Sequence, residues 1–267
     1  MDNPYGKYRT LSVRKVEHVL TLTLNKPPLN AVNEEMDREL AEVFVDIGRD
    51  ADVRVVVLAS NGRAFSAGGD LDDLIRNGRA RDYASWLRSM RNTRRLLMAM
   101  LDLEAPIIAR VHGHAVGLGA TLAFFSDIVV AAESAKFSDP HVRIGLSAGD
   151  GGAIVWQRLA GLAVAKRYLL TGESLSARRA FELGLVAELA SDGEVDLVVE
   201  RISQSLAKLS PKAVSTTKRL LNIPILRDVV ETMDANLGLE TMSRLTEDHL
   251  EATLAVKERR DANIKGQ

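Results

Sequence analysis

Residues 111–122 read VHGHAVGLGATL and join an apolar run that begins at Ile107 to small and apolar residues that end at Phe125. The first run is typical of a buried strand and the second of a buried helix. A strand that turns through glycines into a helix leaves N–H groups without partners at the helix start. Such donors can bind an anion, or an oxygen that becomes negative during a reaction.

The glycines of this turn also allow a purely structural interpretation. Gly113, Gly117 and Gly119 could serve only to let the helix pack closely on the strand. Their spacing departs from the GxGxxG pattern of dinucleotide-binding turns, so the sequence does not favour a dinucleotide cofactor.

A second glycine turn, residues 63–71, reads RAFSAGGDL. The small residues 66–69 would let the backbone approach a ligand closely, and Asp70 could cap the helix that follows. An ordinary turn between strand and helix would carry the same residues. On local evidence both interpretations stay open.

The surrounding sequence predicts an α/β core. Val19–Leu24 alternates like a half-buried strand, Asn33 is placed to cap a helix that Gly48 ends, and residues 53–59 read as a buried strand. A strand–helix–strand succession implies a crossover unit. From residue 206 onward no strand pattern remains, so we place a boundary near residue 200, between a core at 1–200 and a helical region at 201–267.

Composition excludes several classes of protein and site. The 267 residues suit one large domain, or one domain with an appendage. The net charge of -1 gives no global field that would attract nucleic acid or an acidic membrane. The absence of cysteine excludes disulfides, thiolate metal sites and a cysteine nucleophile. No His/Asp/Glu cluster has metal-ligand spacing, so we expect no metal site. The polar N-terminus lacks a secretory signal, and no apolar run could span a membrane, which predicts a cytoplasmic protein.

Together the two glycine turns resemble the paired signatures of the crotonase, or enoyl-CoA hydratase/isomerase, family. Further segments resemble it at residues 127–131, 169–173 and 180–186, and the likeness extends to residues 259–263. It therefore covers nearly the whole chain.

The resemblance implies an α/β spiral of β-β-α turns with a helical C-terminal trimerisation region, assembled as a homotrimer or a dimer of trimers. It also implies a coenzyme A thioester substrate, with no cofactor bound permanently because coenzyme A is part of the substrate. The thioester oxygen would lie between the backbone N–H groups of Gly69 and Leu118. Ala67 would meet the adenine through its backbone.

By the same resemblance Arg63 and Arg259 would lie near the coenzyme A phosphates, to which forked arginine donors are suited. The alternative for each arginine is a solvated surface charge.

The sequence departs from the family at its two acid/base glutamates, whose positions hold Thr121 and His141. Threonine cannot act as a carboxylate base, so hydration by the two-glutamate route is not predicted. The loop 149–152 reads GDGG and resembles that of 6-oxocamphor hydrolase, a carbon–carbon bond hydrolase of this family. We therefore expect Asp150, with His141, to handle protons. The alternatives are that Asp150 only caps the next helix and that His141 is a structural loop residue.

Three functional hypotheses follow. The first is an acyl-CoA enzyme of lyase or isomerase type that stabilises a thioester enolate with non-standard acid/base residues. The second keeps the oxyanion hole but cleaves a carbon–carbon or thioester bond with water, using Asp150 and a histidine. The third is a non-catalytic acyl-CoA-binding protein.

Overall fold

The computed structural model of the protein describes residues 4–267, and the strands of this range form two sheets of unequal size. The strands are β1 (Leu11–Val16), β2 (Val19–Leu24), β3 (Val55–Ser60), β4 (Ile107–Val111), β5 (His114–Val116), β6 (Ile128–Ala132), β7 (Lys136–Ser138), β8 (Leu175–Ser176) and β9 (Glu188–Ala190). The larger sheet has the order β1-β2-β3-β4-β6-β9, and the smaller has the order β5-β7-β8.

Helices cover both sheets and make up most of the C-terminal region. They are α1 (Glu34–Ile47), α2 (Leu71–Ala80), α3 (Tyr83–Asp102), α4 (Leu118–Phe124), α5 (Gly152–Ala160), α6 (Leu162–Thr171), α7 (Ala177–Glu182), α8 (Val195–Ala207), α9 (Pro211–Arg244) and α10 (Glu247–Glu258). One turn of 3-10 helix, His141–Ile144, lies between β7 and α5.

The large sheet confirms the predicted α/β core. Only β1 runs antiparallel to its neighbour, whereas the pairs from β2 to β9 are parallel. Strand β2 has the predicted bounds and buries its leucines, and β3 is buried along its whole length. A parallel strand covered on both faces requires such a continuous apolar run.

The helix between β2 and β3 also begins where the sequence predicts. The side chain of Asn33 accepts a hydrogen bond from Met36 N at 3.0 Å, and Gly48 follows the last helical residue. This N-cap satisfies one of the free donors of the first turn. The helix buries Leu40 and Phe44 in the main core, which completes the crossover.

The chain moves twice from the large sheet to the small one before a helix follows. Strands β4 and β5 precede α4, and strands β6 and β7 precede α5. Gly113, between β4 and β5, has a φ of +63°, a conformation that glycine adopts without strain. Since β5 pairs with β7, these two β-β-α turns bring their loops to the same end of the molecule.

The C-terminal region is helical, as predicted, but α9 is longer than its sequence pattern indicates. The pattern predicts a helix over residues 212–221 and almost continuous helix over residues 231–263, whereas α9 is one helix that runs through Pro224 to Arg244. Proline removes one helical N–H donor, yet packing of α9 against α3 and α5 holds the helix together. The predicted boundary near residue 200 lies inside α8 and stays a prediction. Within residues 4–267, no helix has the length and apolar character needed to cross a membrane.

We expect Asp37→Asn to stabilise the protein at alkaline pH. Burial in α1 raises the pKa of Asp37 to about 6, although Asn92 donates a hydrogen bond to it at 2.8 Å. The folded protein therefore keeps a proton that the unfolded chain releases between about pH 4 and 6, so stability falls across this window. The gain of the variant should approach about 3 kcal/mol at pH 8 and vanish near pH 3.5.

Urea denaturation at the two pH values measures this difference. Asp52→Asn, at a carboxylate that is 81% exposed, serves as the control and should change stability by less than about 0.5 kcal/mol at either pH. An equal gain from Asp37→Asn at pH 3.5 and pH 8 would contradict the pKa of Asp37.

Candidate active site

The two glycine turns lie side by side and are joined by backbone hydrogen bonds. Ser66 N donates to His114 O at 3.0 Å, and Val116 N donates to Ser66 O at 2.9 Å. Gly68 has a φ of +77°, and a Cβ at this position would lie 2.6 Å from Val116 O. The close approach of the two backbones therefore depends on glycine at position 68.

Each turn presents one N–H group that the protein itself does not use. Within residues 4–267, no acceptor is found for the N–H of Gly69 or for that of Leu118, the first residue of α4. The next N–H after Gly69, that of Asp70, donates to Val32 O at 3.0 Å. Two unused donors on adjoining turns meet the first requirement of an oxyanion site.

A buried asparagine holds the first turn in place. Asn30 is fully buried, and its Nδ2 donates to the carbonyl oxygens of Asn61, Ala64 and Phe65 at 2.6, 3.0 and 3.2 Å. Ser66 Oγ donates to Asn30 O at 2.8 Å. This role of Asn30 could not be predicted from the sequence, because its partners lie more than 30 positions away and no local pattern indicates them.

His141 lies between two carboxylates and beside the second turn. Its Nδ1 makes a short hydrogen bond with Asp139, and its Nε2 lies 3.6 Å from Asp150 Oδ2. A Cβ at Gly117, the residue before Leu118, would lie 3.4 Å from His141 Cε1. The structure thus brings together the two residues that the sequence proposes as a proton-handling pair and places them next to one unused amide.

Asp150 does more than cap a helix. Helix α5 begins at Gly152 with Gly151 as its N-cap, and Asp150 Oδ1 lies 3.5 Å from Gly152 N. The same oxygen accepts a hydrogen bond from Thr121 Oγ1, also at 3.5 Å. The threonine that replaces a family glutamate therefore contacts the aspartate that could take over its role.

Burial and neighbouring charges shift the protonation of this cluster. Burial lowers the pKa of His141, but the carboxylates of Asp139 and Asp150 raise it by more, so this pKa lies well above its ordinary value. Burial also raises the pKa of Asp150, although the adjacent imidazolium opposes the change. These shifts favour a proton on the imidazole and make Asp150 a stronger base than an exposed carboxylate.

A third acidic group, Glu240 of α9, faces the same cluster and was not found from the sequence. It is 2% exposed, and its Oε2 has no hydrogen-bond partner among the described residues. A Cβ at Gly149 would lie 2.8 Å from this oxygen, so Glu240 packs directly on the Asp150 loop. Burial raises the pKa of Glu240 to about 8, which keeps it protonated at neutral pH.

The cluster also has the composition of a metal site. Asp139, His141 and Asp150 each offer one ligand atom, and these atoms lie within 4.8 Å of one another. Ligand spacing in the sequence did not reveal this group, because the fold supplies Asp150 from a separate loop. Each imidazole nitrogen already faces a carboxylate, and this arrangement favours proton transfer over metal binding. Our expectation that the protein has no metal site stays a prediction.

The residues expected to bind coenzyme A occupy accessible positions. Arg63 and Arg259 are exposed, and neither side chain has a hydrogen-bond or ion-pair partner within residues 4–267. Ala67 is half-buried, and its N–H donates to Leu29 O at 2.9 Å. If Ala67 contacts an adenine, its carbonyl oxygen must therefore make the contact. The roles of these three residues stay predictions.

A sequence model described as enoyl-CoA hydratase/isomerase matches residues 14–267. Among solved structures, an enoyl-CoA hydratase/isomerase from Mycobacterium paratuberculosis is similar, with a TM-score of 0.88 and 37% identity. The alignment covers 92% of this chain and 97% of that one.

Two relatives from Escherichia coli (strain K12) are similar along almost their whole length. A 2,3-dehydroadipyl-CoA hydratase is 32% identical over 266 residues, which cover 96% of this chain and 99% of the relative. A 1,2-epoxyphenylacetyl-CoA isomerase is 33% identical over 252 residues, which cover 93% of this chain and 95% of the relative.

We expect Gly68→Ala to destabilise the protein by about 2–4 kcal/mol, because the new Cβ meets a carbonyl oxygen and the residue has a positive φ. The matched control is Gly238→Ala in α9, where a Cβ would meet no atom within 4 Å. Alanine should stabilise a helix there by about 0.5–1 kcal/mol. Thermal unfolding of both variants measures the difference, and an unchanged midpoint for Gly68→Ala would contradict the close approach of the turns.

Proposed function

The chain belongs to the enoyl-CoA hydratase/isomerase family of acyl-CoA-processing enzymes, and from this membership we propose that it moves a double bond within an acyl-CoA thioester. It would do so with a two-amide oxyanion hole and a single buried base, Asp150. The family membership confirms the predicted α/β crotonase fold with its helical C-terminal region. It also confirms that the chain is an enzyme of lyase or isomerase type.

One observation carries the proposal. Two backbone N–H groups without internal acceptors, those of Gly69 and Leu118, lie on turns that are hydrogen-bonded to each other, and the cluster of His141 and Asp150 adjoins the second turn. Proton removal beside a thioester places negative charge on the thioester oxygen. Donors fixed in advance stabilise this charge without reorganising, and the loss of one such donor costs about 3 kcal/mol.

The acid/base step follows from the charges around Asp150. Its carboxylate takes a proton from the α-carbon of a 3-enoyl thioester, or from the γ-carbon of a 2-enoyl thioester. The two amides then hold the oxygen of the resulting enolate. The same carboxyl group then returns the proton to another carbon of the enolate, so the double bond moves. His141 remains protonated between Asp139 and Asp150 and stabilises the ionised base before the transfer.

Double-bond movement fits these residues better than hydration. Addition of water by the family's glutamate route uses two carboxyl groups, and Thr121 and His141 occupy their positions. A shuttle between two carbons needs only one base. The Thr121 hydroxyl donates to Asp150 and so supports the one carboxylate that remains.

Hydrolysis of a carbon–carbon or thioester bond is the second candidate. The contact of His141 with Asp139 is the observation that favours it, because a carboxylate that orients a histidine is a common arrangement for activating water. The third candidate function is that of a non-catalytic acyl-CoA-binding protein. Binding alone does not explain why four titratable groups are buried together.

The remaining parts of the proposal concern binding and assembly. Arg63 and Arg259 would bind the coenzyme A phosphates, with Ala67 at the adenine, and no cofactor would be held permanently. The exposed apolar residues of α9, among them Leu220, Leu221 and Met242, suit a homotrimer or a dimer of trimers. We propose a cytoplasmic location and no nucleic-acid or membrane partner.

We expect Asp150→Asn to lower the turnover of enoyl-CoA substrates by 10²- to 10⁴-fold, the usual contribution of a general base, while the affinity for a saturated acyl-CoA stays within about threefold. Absorbance of the conjugated thioester measures turnover, and calorimetry measures binding. Asp52→Asn is the control and should keep full turnover.

Product analysis of the parent enzyme separates the candidate functions. A shifted double bond supports the proposal, an added hydroxyl group indicates hydration, and free coenzyme A or a cleaved carbon chain indicates hydrolysis. Saturable binding without turnover of any 2-enoyl or 3-enoyl ester would indicate a binding protein. Unchanged turnover of Asp150→Asn would remove Asp150 from the mechanism.

A further inference from the structure

A cavity of about 630 Å³ lies between α2, α3, the end of α9 and α10, and the mechanism above does not use it. Helices α2 and α3 form one wall, with Trp86 among its residues. The end of α9, with Arg244, forms the other wall together with α10 and the C-terminal residues. The cavity is large enough for a small acyl group.

Arg244 is the unusual residue of this cavity, because it is a buried cation without a bound carboxylate. It is 8% exposed, and its Nη2 donates to Leu74 O at 3.0 Å while its Nη1 contacts His249 Nε2. Its guanidinium lies over the ring of Trp86 at 5.1 Å. Among residues 4–267, no carboxylate lies within ion-pair distance of it. Burial of a charge without a counter-ion is costly.

None of the carboxylates around the cavity pairs with Arg244. Glu247 lines the cavity but is exposed, and within residues 4–267 its carboxylate makes no ion pair. Asp248 accepts hydrogen bonds from the backbone N–H groups of residues 265–267, and Glu251 pairs with Arg260. Asp82 accepts from Ser85. Glu240, one helical turn before Arg244, is protonated at neutral pH because burial raises its pKa to about 8.

The cavity is connected to the proposed oxyanion hole through one residue. The Cδ1 of Leu74 lies 3.7 Å from the position of a Cβ on Gly69, whereas the carbonyl oxygen of Leu74 accepts from Arg244. Helix α9 makes a second connection, since Glu240 packs on the Asp150 loop and Arg244 follows it by one turn, about 6 Å along the helix. An acyl chain that starts at the two amides would have to pass Leu74 to reach Arg244.

We propose that the acyl group of the substrate ends in a carboxylate, and that Arg244 binds this carboxylate inside the cavity. The substrate class is then the mono-coenzyme A ester of a dicarboxylic acid. The guanidinium retains free N–H donors for an anion, and Trp86 shields the ion pair from water. This inference rests on the proposed function, because it assumes that the thioester lies at Gly69 and Leu118.

The test compares two saturated six-carbon esters, adipoyl-CoA and hexanoyl-CoA, which differ only in the terminal carboxylate and cannot undergo double-bond movement. Calorimetry on the parent enzyme should show adipoyl-CoA binding 10- to 100-fold more tightly, as expected for a charge-assisted hydrogen bond in a buried site. Arg244→Met should reduce this preference to less than about twofold, and Arg244→Lys should retain part of it. Arg79→Gln, at an exposed residue of α2 outside the cavity wall, should keep the full preference.

The anion bound by Arg244 could also be a phosphate of coenzyme A. The same experiment distinguishes a phosphate from an acyl carboxylate. If Arg244→Met weakens adipoyl-CoA, hexanoyl-CoA and free coenzyme A equally, Arg244 binds a phosphate and the inference is wrong. Equal affinity of the parent enzyme for the two esters also overturns it, whether or not the variants fold, and leaves the proposed function intact. Binding of neither ester would overturn both.

Discussion

Two hydrogen bonds between neighbouring turns set the geometry on which the proposed chemistry depends. Ser66 exchanges backbone hydrogen bonds with β5 through His114 and Val116, and this pairing uses the polar groups around the turns but not the N–H of Gly69 or Leu118. Leu118 is a buried residue, whereas Gly69 is exposed. Because a buried donor without a partner is costly in a folded protein, the unused N–H of Leu118 is the stronger support for the proposed oxygen site. Asn30 and the glycine at position 68 make the arrangement possible.

The charges around Asp150 differ from those of a site with the two glutamates of the family. Asp139, His141, Asp150 and Glu240 share one buried volume, and like charges in such a volume cannot all ionise. Burial and the neighbouring charges favour a proton on His141 and on Glu240 and raise the pKa of Asp150. In the proposed mechanism, Asp150 would therefore still transfer a proton without the two family glutamates.

Helix α9 carries one residue of the buried cluster and one residue of the cavity wall. Glu240 and Arg244 lie one turn apart on the same face, the first against the Asp150 loop and the second against the cavity next to α3. An α-helix rises 1.5 Å per residue. The spacing of Glu240 and Arg244 on α9 would therefore fix the distance between the reacting thioester and a charged acyl terminus. The C-terminal region would therefore contribute to specificity as well as to assembly.

The sequence by itself determined the α/β core, the strand at Val19–Leu24, the cap at Asn33 and the two glycine turns, because these depend on side-chain periodicity and on residues close in the chain. It also singled out His141 and Asp150. It did not reveal Asn30, Asp139, Glu240 or Arg244, nor that α9 continues unbroken through Pro224. These depend on contacts between residues that are distant in the chain, and only the packing of the elements in the folded protein decides which polar groups are buried together.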